Sequence, residues 1–280
     1  MEIKALDVKK LREKTGAGIL DCKNALVTAK GDFQSAEKAL KKMGLAAVAK
    51  RSGKATNEGR IFVGTEGNKA GIIEISCETD FVARNKEFID TGNKLLSNVI
   101  RNQSSTTTDE LKNLLEDLKV KIKENMTLRR VKSISCKDNE LLMDYTHGEG
   151  KIGVIVKLKS ENPESLKNQK VRDFAFNSAL HIAAYNPPFL SKELVEDSYL
   201  KEQEEIFTAQ TKKLGKPENI LQGIVKGKLN KHLSEICFLN QAFVKDDKKS
   251  VQEVINELGK EVGDSISITD YIYYKVGEEV

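Results

Sequence analysis

The stretch RIFVGTEGNKAGIIEISC, Arg60 to Cys77, decides the fold class. Arg60 to Thr65 and Ala70 to Cys77 are apolar, β-branched runs of strand length, and Gly67-Asn68 between them is a turn signal. Together they read as a β-hairpin. Helical spacing follows. After a polar transition at Thr79 to Asn85, Phe88, Leu95 and Val99 recur three and four apart, with Ile89, Leu96 and Ile100 beside them, to about Asn102. A second helix is predicted from near Thr107. Thr107 and Glu110 have capping-box spacing, and Leu111, Leu114, Leu118 and Ile122 form its apolar stripe. A strand over Val131 to Cys136 completes an α+β unit.

The same plan recurs downstream. Leu141 to His147 and Lys151 to Lys159 read as strands joined by Gly148-Glu149-Gly150. A helix is expected from near Pro163 to about Tyr185, with Val171, Phe174, Ser178 and Ile182 on one face, ended by Asn186-Pro187-Pro188. A helix from Val251 to Leu258 and a strand from Ser267 to Val276 close the chain. Strand, turn, strand and then helix, seen twice, predicts two related α+β subdomains. Between Glu193 and Phe238 lies a charged, helix-favouring stretch broken at Gly215-Lys216-Pro217, with Leu221, Val225, Leu229 and Leu233 every four residues. It fits a protruding antiparallel helical hairpin and equally two ordinary surface helices.

Upstream, three short helices are expected. The first runs from Asp7 to Lys14 and is broken by Thr15-Gly16-Ala17-Gly18. The second carries Ile19, Cys22, Leu26 and Ala29 on one face. The third shows Phe33, Ala36, Leu40 and Met43, with Gly44 as its stop. A bundle this small is marginal alone, and its exposed face is expected to serve docking. Lys50 to Arg60 is polar and basic, a linker. The predicted units are 1–54, 55–140 and 141–280, the last with the hairpin inserted at about 190–236.

Composition narrows the chemistry. The 46 basic and 42 acidic residues leave a net charge of +4, too small an excess to demand a nucleic-acid partner. No apolar run approaches the roughly 20 residues that span a bilayer. The N-terminus carries an early acid and no apolar region, so no secretory signal is read and the cytoplasm is expected. Cys22, Cys77, Cys136 and Cys237 have no ligand spacing and read as free buried thiols; three histidines form no metal-binding pair. Gly223 to Lys228 has the wrong spacing for a phosphate loop, and no nucleophile elbow or dinucleotide turn occurs. Covalent catalysis, a metal site and a nucleotide site of its own are all unsupported. What stands out is docking surface.

Several stretches could carry that docking. Read as residues, Phe81 fits a core position under the following helix as well as an exposed contact. Asp80 reads as a helix cap, and Ile19 and Lys23 as a core isoleucine and a solvated lysine. His147 sits in a turn, and His181 on a buried-looking helix. Leu11 to Leu26 (LREKTGAGILDCKNAL) and Glu78 to Asn85 (ETDFVARN) closely match signatures of a known family. So do Tyr145-Thr146-His147-Gly148 leading into Lys151-Ile152-Gly153-Val154, then His181-Ile182-Ala183-Ala184, and finally Gln241 to Asp246 (QAFVKD). With them the chain resembles the elongation factor Ts family over essentially its whole length and in the family's order.

The resemblance implies an N-terminal three-helix module like ubiquitin-associated domains, two α+β core subdomains and a helical hairpin. It implies a guanine nucleotide exchange factor, not an enzyme, whose partner is GDP-bound elongation factor Tu. Thr79, Asp80, Phe81 and Val82 match the segment that enters the partner's GTPase domain, displaces magnesium and releases GDP. The factor then stays bound until GTP arrives. Ile19 and Lys23 match N-terminal helices docking on the same domain, and His147 matches the subdomain that reaches a β-barrel domain. No cofactor, membrane or nucleic acid is implied. A homodimer or a 2:2 complex through the hairpin stays open. Two departures stand out: Lys123 replaces a small residue, and a further C-terminal contact helix is expected to be absent after Val280. The competing readings are an RNA-binding translation protein and an assembly adaptor.

Overall fold

The computed structural model describes residues 3–49, 53–212 and 217–279. Lys50 and Arg51 of the expected linker, Gly215 and Lys216 of the expected break, and Val280 lie outside the described residues. Helices α1 (Ala5–Thr15), α2 (Ile19–Thr28) and α3 (Phe33–Ala49) form a small bundle. Its core is Val8, Leu11, Cys22, Ala25, Leu26, Ala36 and Leu40. Gly16, at φ 69°, ends α1 and returns its N–H to the Arg12 carbonyl, the left-handed stop that glycine makes without strain. Gly44 is not a stop: α3 runs on to Ala49. A Cβ at Gly44 would sit 2.4 Å from Cγ1 of Val120. Glycine is there so that two helices can approach.

The core builds the same unit twice. The first comprises β1 (Glu58–Glu66), β2 (Lys69–Cys77), α4 (Asp80–Ala83), α5 (Lys86–Asn102), α6 (Asp109–Ile122) and β3 (Met126–Ser135). The second comprises β4 (Glu140–His147), β5 (Ile152–Ser160), α7 (Gln169–Tyr185), α8 (Asp197–Lys212), α9 (Glu218–Ile236), β6 (Ala242–Phe243), β7 (Asp246–Ser250), α10 (Val251–Val262) and β8 (Ile266–Lys275). Sheet orders are β1-β2-β3 and β4-β5-β8, all antiparallel. In each, the hairpin's second strand is central and the strand after the helices pairs with it. Helices α8 and α9 pack on one another as an antiparallel hairpin, with Val225 buried and Leu221, Leu229 and Leu233 half-buried. Among the described residues no helix is long and apolar enough to cross a membrane.

The two sheets share a face. Ile61, Ala70, Ile72, Leu142, Ile155 and Ile272 form a core between them. Outer cores lie under α5 and α6 on one side and under α7 and α10 on the other. This makes four layers and explains why β2 is buried almost end to end, reading as a continuous apolar run instead of an alternating one. A Cβ at Gly153 would meet Ile61 Cγ2 at 2.5 Å, so a glycine is needed where the sheets touch.

Glu74 interrupts that apolar run and is fully buried. It accepts from Arg129 (2.8 Å), Arg130 (2.6 Å) and the Gly277 amide (2.9 Å). Neighbouring strand residues normally point to opposite faces. Here the β2–β3 register slips between Glu74 and Ile75, which lets both arginines reach one carboxylate. Arg130 also stacks on Tyr274 (4.1 Å) and donates to the Lys275 carbonyl (2.7 Å). The cluster ties the first sheet to the end of the last strand.

Other local boundaries differ from sequence expectation too. Thr108, not Thr107, caps α6, accepting from the Leu111 amide. Pro163–Lys167 is a separate 3-10 turn, and Asn168 starts α7 with a side-chain cap on Lys170. The β6–β7 hairpin is unforeseen, because Ala242–Phe243 is too short and Asp246–Ser250 too charged to read as strands. Cys22, Cys77 and Cys237 are buried free thiols; Cys136 is half-buried.

His181 is fully buried at the base of the helical hairpin. Its Nδ1 accepts from the Val244 amide (3.1 Å), so Nε2 carries the proton and donates to Gln241 Oε1 (2.8 Å). Gln241 in turn donates to the Glu235 carbonyl (2.6 Å). Burial holds the imidazole below its ordinary pKa, opposed by the Gln241 bond. The unfolded chain therefore binds this proton first, and stability is lost as pH falls below about 6.5. Urea midpoints should drop as pH falls below about 6.5, and this part of the drop should vanish in His181→Gln. Glu74→Ala should cost about 3 kcal/mol in urea denaturation, because it removes the central carboxylate of the cluster and leaves Arg130 only Glu278 (3.2 Å) as a charged partner.

Candidate functional site

Strand β2 delivers the chain at Cys77 to Glu78 and Thr79, and α4 follows as a single turn. A helix that short cannot hold itself; its ends must be fixed from outside. Thr79 caps it, Oγ1 accepting from the Val82 amide (3.4 Å). Asn85 caps the next helix, accepting from Glu87 (2.8 Å) and Phe88 (3.4 Å). The cap expected at Asp80 is therefore made by Thr79. Asp80 occupies the first helical position, where a carboxylate suits the helix dipole, and pairs with Arg84 at 3.7 Å.

Val82 and Ala83 turn inward against the core that contains Cys77 and Phe88. Val82 is 8% exposed and so anchors α4; the surface the turn offers is Asp80 and Phe81. Phe81 is 81% exposed. The ring stands in water and not beneath α5. Holding a phenylalanine there forgoes about 1.5–3 kcal/mol of burial.

Arg84 also reaches Glu149 (3.6 Å) in the β4–β5 turn, and the Gly150 carbonyl of that turn accepts from the Ile61 amide (2.7 Å). The motif on the first unit is thus tied to the turn that carries His147 on the second. His147 is exposed, and its Nδ1 meets the Tyr145 hydroxyl at 3.1 Å. Tyr145 in turn stands edge-on to Phe176 at 5.5 Å. Phe176 is itself exposed and was not singled out from sequence.

Ile19 and Lys23 lie elsewhere, on the bundle, which meets the core through α3 against α6. The buried face of α2 is Cys22, Ala25 and Leu26. Ile19 is 59% exposed, not a core residue, and shares the outer side with Lys23, Leu20 and Val27. A signal for this existed: six apolar residues in ten exceed what one face of a short helix can bury.

The Cys77 thiol is pushed up to about 12, first by burial and then by the Glu124 charge, so it is inert. Among the described residues no three His, Cys, Asp or Glu side chains converge to hold a metal.

Residues 78–278 match the sequence profile of the family described as Elongation factor TS. Proteins named Elongation factor Ts are similar along almost the whole chain. The Treponema denticola protein is 48% identical over 277 residues, covering 99% of each chain. The Borrelia recurrentis protein is 43% identical over 278 residues, covering 99% of this chain and all of its own. The Borreliella burgdorferi protein is 43% identical over 274 residues, covering 97% and 98%.

Because Phe81 is solvated and Thr79 is half-buried with its hydroxyl engaged, their truncations should separate. In urea denaturation Phe81→Ala should shift stability by no more than about 0.5 kcal/mol, and Thr79→Ala should cost about 1 kcal/mol through the lost cap.

Proposed function

The chain belongs to the elongation factor Ts family, and from that premise we propose that it accelerates GDP release from elongation factor Tu. The observation that carries this is Phe81, a large apolar ring held in water on a turn whose two ends are pinned. Such a ring gains most by entering a pocket on another protein.

GDP in a GTPase is held by backbone amides and by magnesium bridging its phosphates. Phe81 wedges beside that site, with Asp80 next to it presenting negative charge toward the magnesium and phosphates. Shifting the loop or helix that carries the amides weakens many contacts together and displaces the metal. Each tenfold gain in release rate needs about 1.4 kcal/mol, so a ten-thousand-fold gain needs roughly 5.5 kcal/mol. One buried aromatic plus lost magnesium contacts is of that size. Coupling is reciprocal: what weakens GDP is weakened equally by GDP. The factor therefore stays on empty Tu until GTP ejects it, and no covalent step is needed.

Thr79 and Val82 support the wedge from behind. Ile19 and Lys23, with Leu20 and Val27, dock on the same partner domain. His147, with Tyr145 and Phe176, contacts a β-barrel domain of the partner. This divides the work among 1–54, 55–140 and 141–280. The α8–α9 hairpin is free to join two such complexes. The setting is the cytoplasm, where Tu works.

Stopped-flow release of fluorescent GDP from purified Tu tests the reading. The intact chain should accelerate release, and Phe81→Ala should lose about 10- to 100-fold of that effect, the weight of a buried aromatic anchor. Binding with release rates unchanged would make the chain an adaptor and refute the exchange reading.

A further inference from the structure

A ring projecting from one helical turn is only as well aimed as the turn's cap. The Thr79 hydroxyl has one hydrogen and two neighbours. The Val82 amide donates to Oγ1 at 3.4 Å, and Oγ1 donates to Oε1 of Glu124 at 2.9 Å. A hydroxyl left to rotate can turn its hydrogen toward the amide and abolish the cap. A carboxylate acceptor takes that hydrogen and leaves a lone pair facing Val82. Donation to a negative charge also polarises the oxygen and makes it a better acceptor.

Glu124 is itself held in place. Lys123 ends α6 in the left-handed region (φ 63°, ψ 31°) and returns its N–H to the Lys119 carbonyl (2.8 Å). The chain then turns back beside Glu78 and Thr79. The Asn125 amide donates to Glu78 (2.7 Å), its side chain donates to the Lys54 carbonyl (2.9 Å), and Lys54 pairs with Glu78 at 3.6 Å. The second oxygen of Glu124 is out of water with no hydrogen-bond partner among the described residues. The residue as a whole is half-buried, and the oxygen the fold engages is the one on Thr79.

We propose that Glu124 is a positioning residue for nucleotide release: it orients the Thr79 hydroxyl, and through the α4 cap it sets the direction of Phe81. The proposal rests on the exchange reading of α4. It assigns a function to the α6–β3 loop, which sequence reasoning had marked only for its lysine.

The test uses the full chain, with GDP release at saturating factor, urea denaturation and amide exchange. Glu124→Ala should slow release about tenfold, the size of one lost hydrogen bond of about 1.4 kcal/mol. Glu124→Gln keeps a carbonyl acceptor for Thr79 and should stay within about twofold. In a Phe81→Ala background Glu124→Ala should add less than about twofold, because its effect passes through the ring. The Val82 amide should exchange faster in Glu124→Ala and not in Glu124→Gln. Loss of release that is additive with Phe81→Ala would reduce Glu124 to general stability and overturn the proposal. So would undiminished release by Glu124→Ala while Phe81→Ala fails. No acceleration by the unsubstituted chain would overturn the exchange reading itself, and the proposal with it.

Discussion

Two sheets pressed face to face, with one buried carboxylate at their margin, hold the rest of the molecule in place. Glu74 sits in a strand that is otherwise apolar and gathers two arginines and the Gly277 amide. The arginines come from the neighbouring strand, and the backbone groups they bind come from the end of the chain. Ions out of water are expensive unless fully paired, and this group is satisfied only when both units are assembled. The units are therefore repeats in topology and one body in packing.

That rigid body gives a meaning to the weakest-looking element in the fold. Helix α4 is four residues long and would melt alone. It persists because β2 and α5 fix its ends, Val82 and Ala83 fill its inner side, and Arg84 links it to the β4–β5 turn. All of this restraint falls on a turn whose outward residue is an exposed phenylalanine. That side chain contributes little to its own fold. Binding surfaces are built this way when the ring's burial belongs to a complex.

What could be read in the sequence was what periodicity encodes. The hairpins around Gly67-Asn68 and Gly148-Glu149-Gly150, the stripes of α5 and α7, and the paired α8 and α9 helices follow from spacing alone. What could not be read depended on partners distant in sequence. Gly44 reads as a helix stop until Val120 is placed against it. Glu74 is only an oddity in an apolar run until Arg129 and Arg130 arrive. Phe81 reads as core or as surface because Val82 and Ala83 beside it are apolar too; in the structure those two face the core and Phe81 faces out. Ile19 was placed with the core of α2, although Cys22, Ala25 and Leu26 already fill that side. The family motifs pointed to the segment; the geometry shows which of its residues face out, moves the cap from Asp80 to Thr79 and sets Glu124 against the Thr79 hydroxyl.

The central claim is that the Phe81 side chain leaves its own domain to enter the nucleotide site of the proposed partner. Photo-crosslinking from position 81, with Phe81 replaced by benzoylphenylalanine, tests this most directly. The account predicts crosslinks to the GTPase domain of elongation factor Tu beside the phosphate-binding loop, suppressed by excess GDP. Crosslinks confined to the chain itself, or unaffected by nucleotide, would contradict it.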